Sequence, residues 1–415
     1  KKHQIGLKLE CLPKTNKNFT GIKPCPMAFN EGGTIGIYNF TRAYAELGHE
    51  VVIYCLDGKK HKTPVTEAQK ELSKYARVFI QPLNTDVVAK DALLDLLQNK
   101  SYNVSRFYNA DFESKLIELL ESEKFDVIQV EGTFVGPYIH TLRKYHAGVI
   151  ALRMHNVEYE IWERLATNER NPLKKYYQRI LAKQLKKYEA SLLPLVDITA
   201  TVTDDDGLKF KALHPTGEYC TIPAGIDLDV WKYTPSYSFK RFYHIGSMEW
   251  HANAEAVNWY MDKVHSLICQ EDKEYSLHLA GKGIQTAAFA SHAQLSVHAN
   301  VPDAYAFVAQ HDVCVVPLWS GSGIRLKILE ALAAGKLVIS TTIGAQGIQY
   351  TDGVHLVIAD TPLAFLEVYQ RLRSGELDYK RIIQNGRLLI ENQYSTIALA
   401  EKQLAMYSTL SKRKI

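Results

Sequence analysis

The sequence has few cysteines, no long apolar run and little excess charge of either sign. Its six cysteines are scattered and form no C-x-x-C pair, which argues against a disulfide framework or a zinc ribbon. They are Cys11, Cys25, Cys55, Cys220, Cys269 and Cys314. No apolar segment is long enough to cross a bilayer, and no signal-peptide pattern opens the chain. We therefore expect reduced thiols and a cytoplasmic protein.

The net charge of +4 at pH 7 is small for a chain of 415 residues. Clusters of basic and aromatic residues typical of RNA-binding proteins are absent, so nucleic acid is not the expected partner. The length exceeds that of one ordinary domain and suits two domains of about 150 to 220 residues. No internal repeat or low-complexity tract interrupts the chain.

Short β-rich runs alternate with longer helical patterns in both halves, which predicts an α/β fold of parallel sheets covered by helices. The first half contains predicted strands near Ile5–Leu9, Val51–Leu56, Val78–Pro82, Val127–Val130, Val149–Arg153 and Ile198–Val202, and helices near Thr34–Leu47, Phe112–Glu121 and Pro172–Leu193. The second half contains predicted strands at Arg241–Ile245, Ser276–Ala280, Val313–Pro317 and Leu337–Ser340, and a final helix over Thr396–Lys414.

A segment rich in Pro, Gly and Tyr, Thr221–Ser238, separates the halves and is the predicted hinge. We accordingly predict a first domain over residues 1–222 and a second domain over residues 238–395. The helical tail over residues 396–415 follows the second domain.

The most informative segment is SGSGIRLKILEALAAGKLVIS, Ser320–Ser340, in which an apolar strand leads through a glycine-rich turn into an amphipathic helix. The unpaired N–H groups and the dipole at such a helix start favour an anion. Arg325 and Lys327 add positive charge where the dipole opposes it, and a diphosphate would supply the missing negative charge. Glu330 lies about 12 Å further along the helix than Ser322, roughly the span from a sugar across a diphosphate to a ribose.

This segment resembles the donor-binding signature of retaining family 4 (group 1) glycosyltransferases, and its GSGxRLKxLEA pattern resembles that of a bacterial subgroup. The resemblance implies a GT-B fold, in which two Rossmann-like domains face each other across a cleft and the C-terminal helix packs back on the first domain. It also implies that Glu330 holds the ribose hydroxyls. Glu330 is the second of the two acids in the family signature, and Ser322 stands where the family has the first, so the contact with the sugar hydroxyls is weaker here.

Further second-half positions match the family's donor site. Gly246 and Ser247 follow a strand and resemble the loop that approaches the donor phosphates, where many relatives carry Arg and Lys. Binding of the diphosphate is therefore assigned to Arg325 and Lys327. The remaining implied donor contacts are Gly281, Asn300, Val301, Gly323 and Ile324.

The first half contains a glycine loop, Glu31–Gly36, that resembles the family loop lying under the transferred sugar. Gly33 and Thr34 are its implied donor contacts. The spacing is not the G-x-G-x-x-G of dinucleotide-binding proteins, although Asp57 leaves an NAD site as a minor alternative. A tight turn without a ligand is the structural alternative.

The segment after the Val149–Arg153 strand contains His155, which matches a family histidine close to the reacting carbon. A neutral imidazole there can hold a sugar hydroxyl while charge develops on the ring and the phosphate. A structural histidine is the alternative. Asn156 and Glu158 are candidate acceptor contacts, and Glu158 is equally consistent with a favourable charge at a helix start. Glu131 is a candidate acceptor contact or weak base if buried, and an exposed loop acid if not.

The predicted helix from Pro172 to Tyr188 has an apolar stripe, and lysines and arginines line much of the remainder. Such a helix either packs its stripe on the core or lies on an anionic membrane surface. Peripheral contact with the inner face of the cell membrane is therefore an open expectation.

Together these features predict a metal-independent glycosyltransferase that retains anomeric configuration, with His155, Arg325 and Lys327 as catalytic residues. The donor is a nucleoside diphosphate sugar, which is a co-substrate, and no resident cofactor is expected. The acceptor is a glycan, a lipid-linked saccharide or another hydroxyl compound. A nucleotide-sugar epimerase of the same fold and a non-catalytic sugar-nucleotide or glycan binder remain alternatives.

Overall fold

The structure is a computed structural model that describes residues 18–24, 32–58, 65–86, 88–285, 289, 292–321 and 323–414. The predicted strand Ile5–Leu9 lies outside these residues. The side chains of residues 18–35 are also outside the description.

Two parallel sheets organise the described chain, as the alternating pattern predicted. The first has the order β3-β2-β1-β4-β5-β6-β7 and the second the order β10-β9-β8-β11-β12-β13. The strands of the first sheet are β1 Asn18–Pro24, β2 Glu50–Gly58, β3 Arg77–Leu83, β4 Val127–Glu131, β5 Val149–Met154, β6 Ile198–Thr201 and β7 Tyr219–Thr221. Those of the second are β8 Arg241–Ile245, β9 Ser276–Ala280, β10 Leu295–His298, β11 Val313–Val316, β12 Leu337–Ser340 and β13 Val357–Ile358.

Helices cover both faces of each sheet. In the first half they are α1 Gly32–Glu46, α2 Val65–Leu72, α3 Ala89–Leu97, α4 Tyr102–Ser105, α5 Ala110–Ser122, α6 Ile139–Tyr145, α7 Glu158–Asn168, α8 Pro172–Leu192 and α9 Asp204–Leu213. In the second half they are α10 His251–Tyr260, α11 Ser266–Glu271, α12 Ala304–Ala309, α13 Leu326–Ala333, α14 Pro362–Ser374, α15 Tyr379–Gln393 and α16 Thr396–Lys414. Short 3₁₀ helices cover Thr133–Tyr138 and Leu193–Leu195, and a short π-helix joins α10 to α11 at Met261–His265.

Strand β2 shows why the first sheet is buried on both faces. Val52, Tyr54 and Leu56 pack into one apolar cluster. The alternate residues Val51, Ile53 and Cys55 pack into another on the opposite face.

Helix α16 follows the second domain in sequence but packs on the first. Leu399, Ala400 and Tyr407 belong to the same apolar cluster as Phe40 and Tyr44 of α1. The chain therefore passes between the domains twice, and the two passages touch: Ile226 pairs with Ser395 in an isolated bridge. The N–H of Thr396 donates to the carbonyl of Ile226 at 3.1 Å.

The strand order creates one topological switch point in each sheet. In the second sheet it lies between β8 and β11, and in the first between β1 and β4. Ligands of doubly wound sheets bind at the carboxyl ends of the strands beside such points. Those ends therefore define where a site is expected.

Candidate active site

The loops after β8 and β9 touch each other at the carboxyl edge of the second sheet. Gly281 has a φ of +138°, and a Cβ built there would lie 2.0 Å from the carbonyl oxygen of Gly246. No side chain fits in that space, so glycine is required for the two loops to meet. Gly246 and Ser247 are held at the switch point by this contact.

Lys327, in the first turn of α13, extends its ammonium group to this edge. Its Nζ donates to Asn253 Oδ1 at 2.8 Å and lies 3.1 Å from His244 Nε2. A Cβ on Gly246 would lie 2.6 Å from the same Nζ. Asn253 also donates to the carbonyl of Ser247 at 2.8 Å. Asn253 therefore joins the lysine to the loop of Gly246 and Ser247.

The electrostatics of this group are unusual. Burial lowers the pKa of Lys327 to about 8. His244 donates from Nδ1 to the carbonyl of Val315 at 2.8 Å, and burial beside Lys327 holds its pKa well below the ordinary value. The imidazole is therefore neutral and accepts from the ammonium. Lys327 thus places a positive charge among neutral partners.

Arg325 immediately precedes α13 and is 4% exposed. Its Nη1 donates to the carbonyl of Gly323 at 2.6 Å, and its guanidinium lies 5.4 Å from the ring centroid of Trp250. Burial lowers the pKa of this guanidinium. The two cations of the signature therefore lie on either side of the helix start.

Glu330 follows one turn further along α13. Burial raises the pKa of its carboxyl group to about 7, an effect that the nearby Lys327 opposes. Ser322 lies outside the described residues. Gly323 has a φ of +78°, and a Cβ built on Gly347 would lie 3.2 Å from Ile324 Cγ1. Asn300 and Val301 follow β10, with Asn300 exposed and Val301 packed against the core.

The first domain places Glu131 and His155 together at the carboxyl ends of β4 and β5. Glu131 is 1% exposed, so the alternative of an exposed loop acid is wrong. Its Oε2 lies 2.7 Å from His155 Nε2, while its Oε1 accepts from Gln129 Nε2 at 2.5 Å. Gly132 follows with a φ of +87°, and a Cβ there would lie 3.8 Å from the His155 ring. The carboxylate therefore orients the imidazole.

Asn156 is exposed, and its side chain donates to Glu158 Oε1 at 3.3 Å. Glu158 is the first residue of α7, and burial raises its pKa. Both residues lie beside His155. Gly33 and Thr34 lie in the first turn of α1, and their side chains are outside the description.

Three functional-site neighbours escaped sequence reasoning. His244 and Gln129 lie inside apolar strands, where a polar residue among apolar neighbours was the available signal. Glu189 of α8 is fully buried and accepts from the N–H groups of Glu158 and Tyr159, both at 3.2 Å. It caps α7 from the following helix and so fixes the loop that carries His155.

Comparison with known proteins identifies the second domain. Residues 239–374 match the family described as "Glycosyl transferases group 1". This chain is a glycosyltransferase.

Solved structures share the whole fold of this glycosyltransferase. Sucrose-phosphate synthase from Thermosynechococcus elongatus superposes with a TM-score of 0.65 at 14% identity, covering 96% of this chain and all of that one. The Anabaena protein HepE in complex with UDP and glucose gives 0.59 at 10% identity, covering 95% and 100%. The pneumococcal O-GlcNAc transferase GtfA in complex with UDP and GlcNAc gives 0.59 at 13% identity, covering 95% and 99%. The fold is GT-B, as the signature implied.

A curated relative from Klebsiella pneumoniae, an "Uncharacterized 44.6 kDa protein in cps region", is 22% identical over 393 residues. The match covers 90% of the glycosyltransferase and 95% of that protein.

No group of three histidine, cysteine or acidic side chains among the described residues is arranged to hold a metal ion. No helix in the described ranges is long and apolar enough to cross a membrane.

Proposed function

We propose that the enzyme transfers a sugar from a nucleoside diphosphate sugar to a hydroxyl acceptor with retention of anomeric configuration. The observation that carries this proposal is the half-buried Lys327 ammonium beside Gly246, with Arg325 next to it at the start of α13. A diphosphate seated there would neutralise two cations and lie at the positive end of the helix dipole. The complexes of HepE and GtfA with UDP support a donor of this class.

In the proposed reaction the bond between the anomeric carbon and the diphosphate oxygen breaks. The acceptor oxygen bonds to that carbon on the same face, and its proton passes to the departing phosphate oxygen. Arg325, Lys327 and the helix start stabilise the charge on the leaving group, so these side chains perform the task that a divalent cation performs elsewhere.

The other donor contacts follow from their positions. Glu330 would accept hydrogen bonds from the ribose, and Ser322, Gly323 and Ile324 would contact the sugar. The nucleobase would lie against Asn300 and Val301, near Gly281. Gly33 and Thr34 would approach the phosphate from the first domain.

His155 would hold a hydroxyl of the transferred sugar. Its Nε2 faces Glu131, which leaves Nδ1 as the acceptor in the neutral ring. Asn156 and Glu158, beside it, would contact the acceptor. Glu131 would act through His155 because both of its oxygens are already hydrogen-bonded.

The acceptor is proposed to be a growing glycan on a lipid carrier at an anionic membrane. One support is the Klebsiella relative from the cps region. The other is α8, whose first half exposes Leu173 and Tyr176 among lysines and Arg179.

The deciding experiment measures turnover of a sugar nucleotide chosen by thermal-shift screening of UDP-, GDP- and ADP-sugars. Arg325→Ala combined with Lys327→Ala should lower turnover by about 10²-fold or more, because charge stabilisation of the leaving group is lost. Lys240→Ala is the matched control, since Lys240 is an exposed cation just before β8, at the opposite edge of the same sheet.

Near-normal turnover in the double variant would contradict the assigned roles. Product analysis separates the other outcomes. Release of an altered sugar nucleotide without acceptor would indicate an epimerase. Calorimetric binding without hydrolysis or transfer across an acceptor panel would indicate a binder.

A further inference from the structure

A buried chain of side-chain hydrogen bonds runs from α16 to His155. It begins at Tyr407, whose hydroxyl donates to Gln129 Oε1 at 2.8 Å. Gln129 Nε2 donates to Glu131 Oε1 at 2.5 Å, and Glu131 Oε2 lies 2.7 Å from His155 Nε2. The C-terminal helix and the cleft histidine are thus joined through two side chains of β4.

Gln403 supports the same chain from α16. Its Nε2 donates to Gln129 Oε1 at 3.0 Å and to the Tyr407 hydroxyl at 2.5 Å. Its Oε1 accepts from the hydroxyl of Tyr44 at 2.6 Å. The side chains that form this hydrogen-bond network are each at most 1% exposed, so water does not compete for these bonds: Tyr44, Gln129, Glu131, Gln403 and Tyr407.

The donors and acceptors of this network fix the direction of every group. Because Gln129 Oε1 receives hydrogen bonds from α16, its amide nitrogen must face Glu131. Burial raises the pKa values of Tyr44 and Tyr407, so both hydroxyls stay protonated as donors. Arg153 lies beside this network, with its Nη1 4.0 Å from Glu131 Oε1 and its guanidinium over the ring of Phe40.

We propose that Gln129, Gln403 and Tyr407 are positioning residues through which the C-terminal helix sets the tautomer and orientation of His155. A carboxylate held from one side by Gln129 accepts the Nε2 proton of His155 and presents Nδ1 to the cleft. This inference rests on the proposed function for its effect on turnover, but the tautomer itself is independent of any substrate.

The test compares Gln129→Met, which has a similar volume and no amide, with Leu399→Ala, which removes packing of α16 outside the network. Turnover of the sugar nucleotide found by thermal-shift screening should fall about 10- to 100-fold in Gln129→Met, with the donor KM little changed. Leu399→Ala should lower the melting temperature and leave kcat near the wild-type value. Tyr407→Phe, which removes one hydroxyl, should give a smaller fall in kcat.

Nitrogen-15 NMR of histidine-labelled protein supplies a readout that needs no substrate. The His155 signals, assigned by their loss in His155→Gln, should show the Nε2-protonated tautomer in the wild type and a mixture in Gln129→Met. Unchanged His155 signals in Gln129→Met would overturn the proposal, as would a kcat loss in Leu399→Ala equal to that in Gln129→Met. Absence of turnover in the wild type, with the NMR change present, would refute the proposed function alone.

Discussion

At the scale of the residue, Lys327 stands out because its hydrogen-bond partners, His244 and Asn253, are both uncharged. A half-buried ammonium whose hydrogen-bond partners are neutral is costly in the free protein, and a bound anion offsets that cost. Burial also disfavours the charged form of Glu330, one turn away, and so raises the pKa of its carboxyl group. Both groups therefore titrate close to neutral pH.

The pH dependence of kcat/KM for the donor should be bell-shaped, with a narrow maximum between pH 7 and 8. Lys327, with a pKa of about 8, loses its charge as the pH rises through that value, and diphosphate binding weakens. Glu330, with a pKa of about 7, gains a proton as the pH falls, and loses acceptor capacity toward the ribose. A pH–rate series with the identified donor checks this.

Two variants identify the group that titrates in each limb of that pH profile. Lys327→Arg, which keeps its charge, should remove the alkaline limb, and Glu330→Gln should remove the acid limb. Lys336 is the control because its pKa is also about 8 but it precedes β12, at the opposite edge of the sheet. Lys336→Arg should keep the alkaline limb. If Lys327→Arg keeps it too, Lys327 is not the titrating group.

Sequence reasoning at this scale found the residues whose chemistry is local. Arg325, Lys327 and Glu330 share one helix start, so their spacing alone placed them together. His244, Asn253 and Glu189 reach their partners across 83, 74 and about 30 residues respectively. No local pattern encodes such distances, because they depend on how the strands are ordered in the sheet.

At the scale of the element, α8 divides into two halves, and neither sequence alternative describes it alone. Leu181 and Leu185 are buried in the second half, as a core-facing stripe requires. In the first half Leu173 is 82% and Tyr176 67% exposed. The apolar stripe therefore continues beyond the core and leaves large side chains in water beside Lys174 and Arg179.

Replacing Leu173 and Tyr176 together by serine should weaken binding to anionic phosphatidylglycerol vesicles while shifting the melting temperature little. Each side chain loses apolar area that the bilayer would bury, worth about 1.5 to 3 kcal/mol when complete. Cosedimentation with vesicles measures the effect, and Leu363→Ser is the matched control, since Leu363 is 72% exposed on α14 of the other domain. Equal sedimentation of the double serine variant and the Leu363→Ser control would refute a membrane role for α8.

Element boundaries were predictable where the local pattern was strong. Strands β8 and β9 and helix α16 begin and end where the apolar periodicity predicted. Strand β1, Asn18–Pro24, was missed because its sequence NFTGIKP contains Gly, Pro and polar residues that resemble a loop. It forms a strand because it pairs with β2 on one side and β4 on the other, although its own residues do not favour a strand.

At the scale of the whole molecule, the two passages between the domains depend on one small residue. A Cβ on Gly225 would lie 2.6 Å from Thr396 Oγ1 and 2.8 Å from Thr396 Cα. The segment before α16 therefore fits against the hinge only because position 225 has no side chain. Arg42 of α1 pairs with Asp227 and ties the same hinge to the first domain.

Gly225→Ala should lower the free energy of unfolding by about 1 to 3 kcal/mol, because the backbone of Thr396 must move. Gly36→Ala is the control: Gly36 lies within α1, and a Cβ there meets nothing within 4 Å. That change should be neutral or slightly stabilising. Calorimetric melting of the two variants checks the difference, and equal melting temperatures would contradict close packing at the crossing.

The return of α16 to the first domain has a consequence for engineering. A chimera that imports the donor half of a relative, in order to change which sugar nucleotide is accepted, should end its graft before Ser395. The native segment from Thr396 onward contributes Leu399, Gln403 and Tyr407 to the recipient's own core. A graft that ran to the end of the chain would exchange part of the interior of the half it was meant to leave untouched.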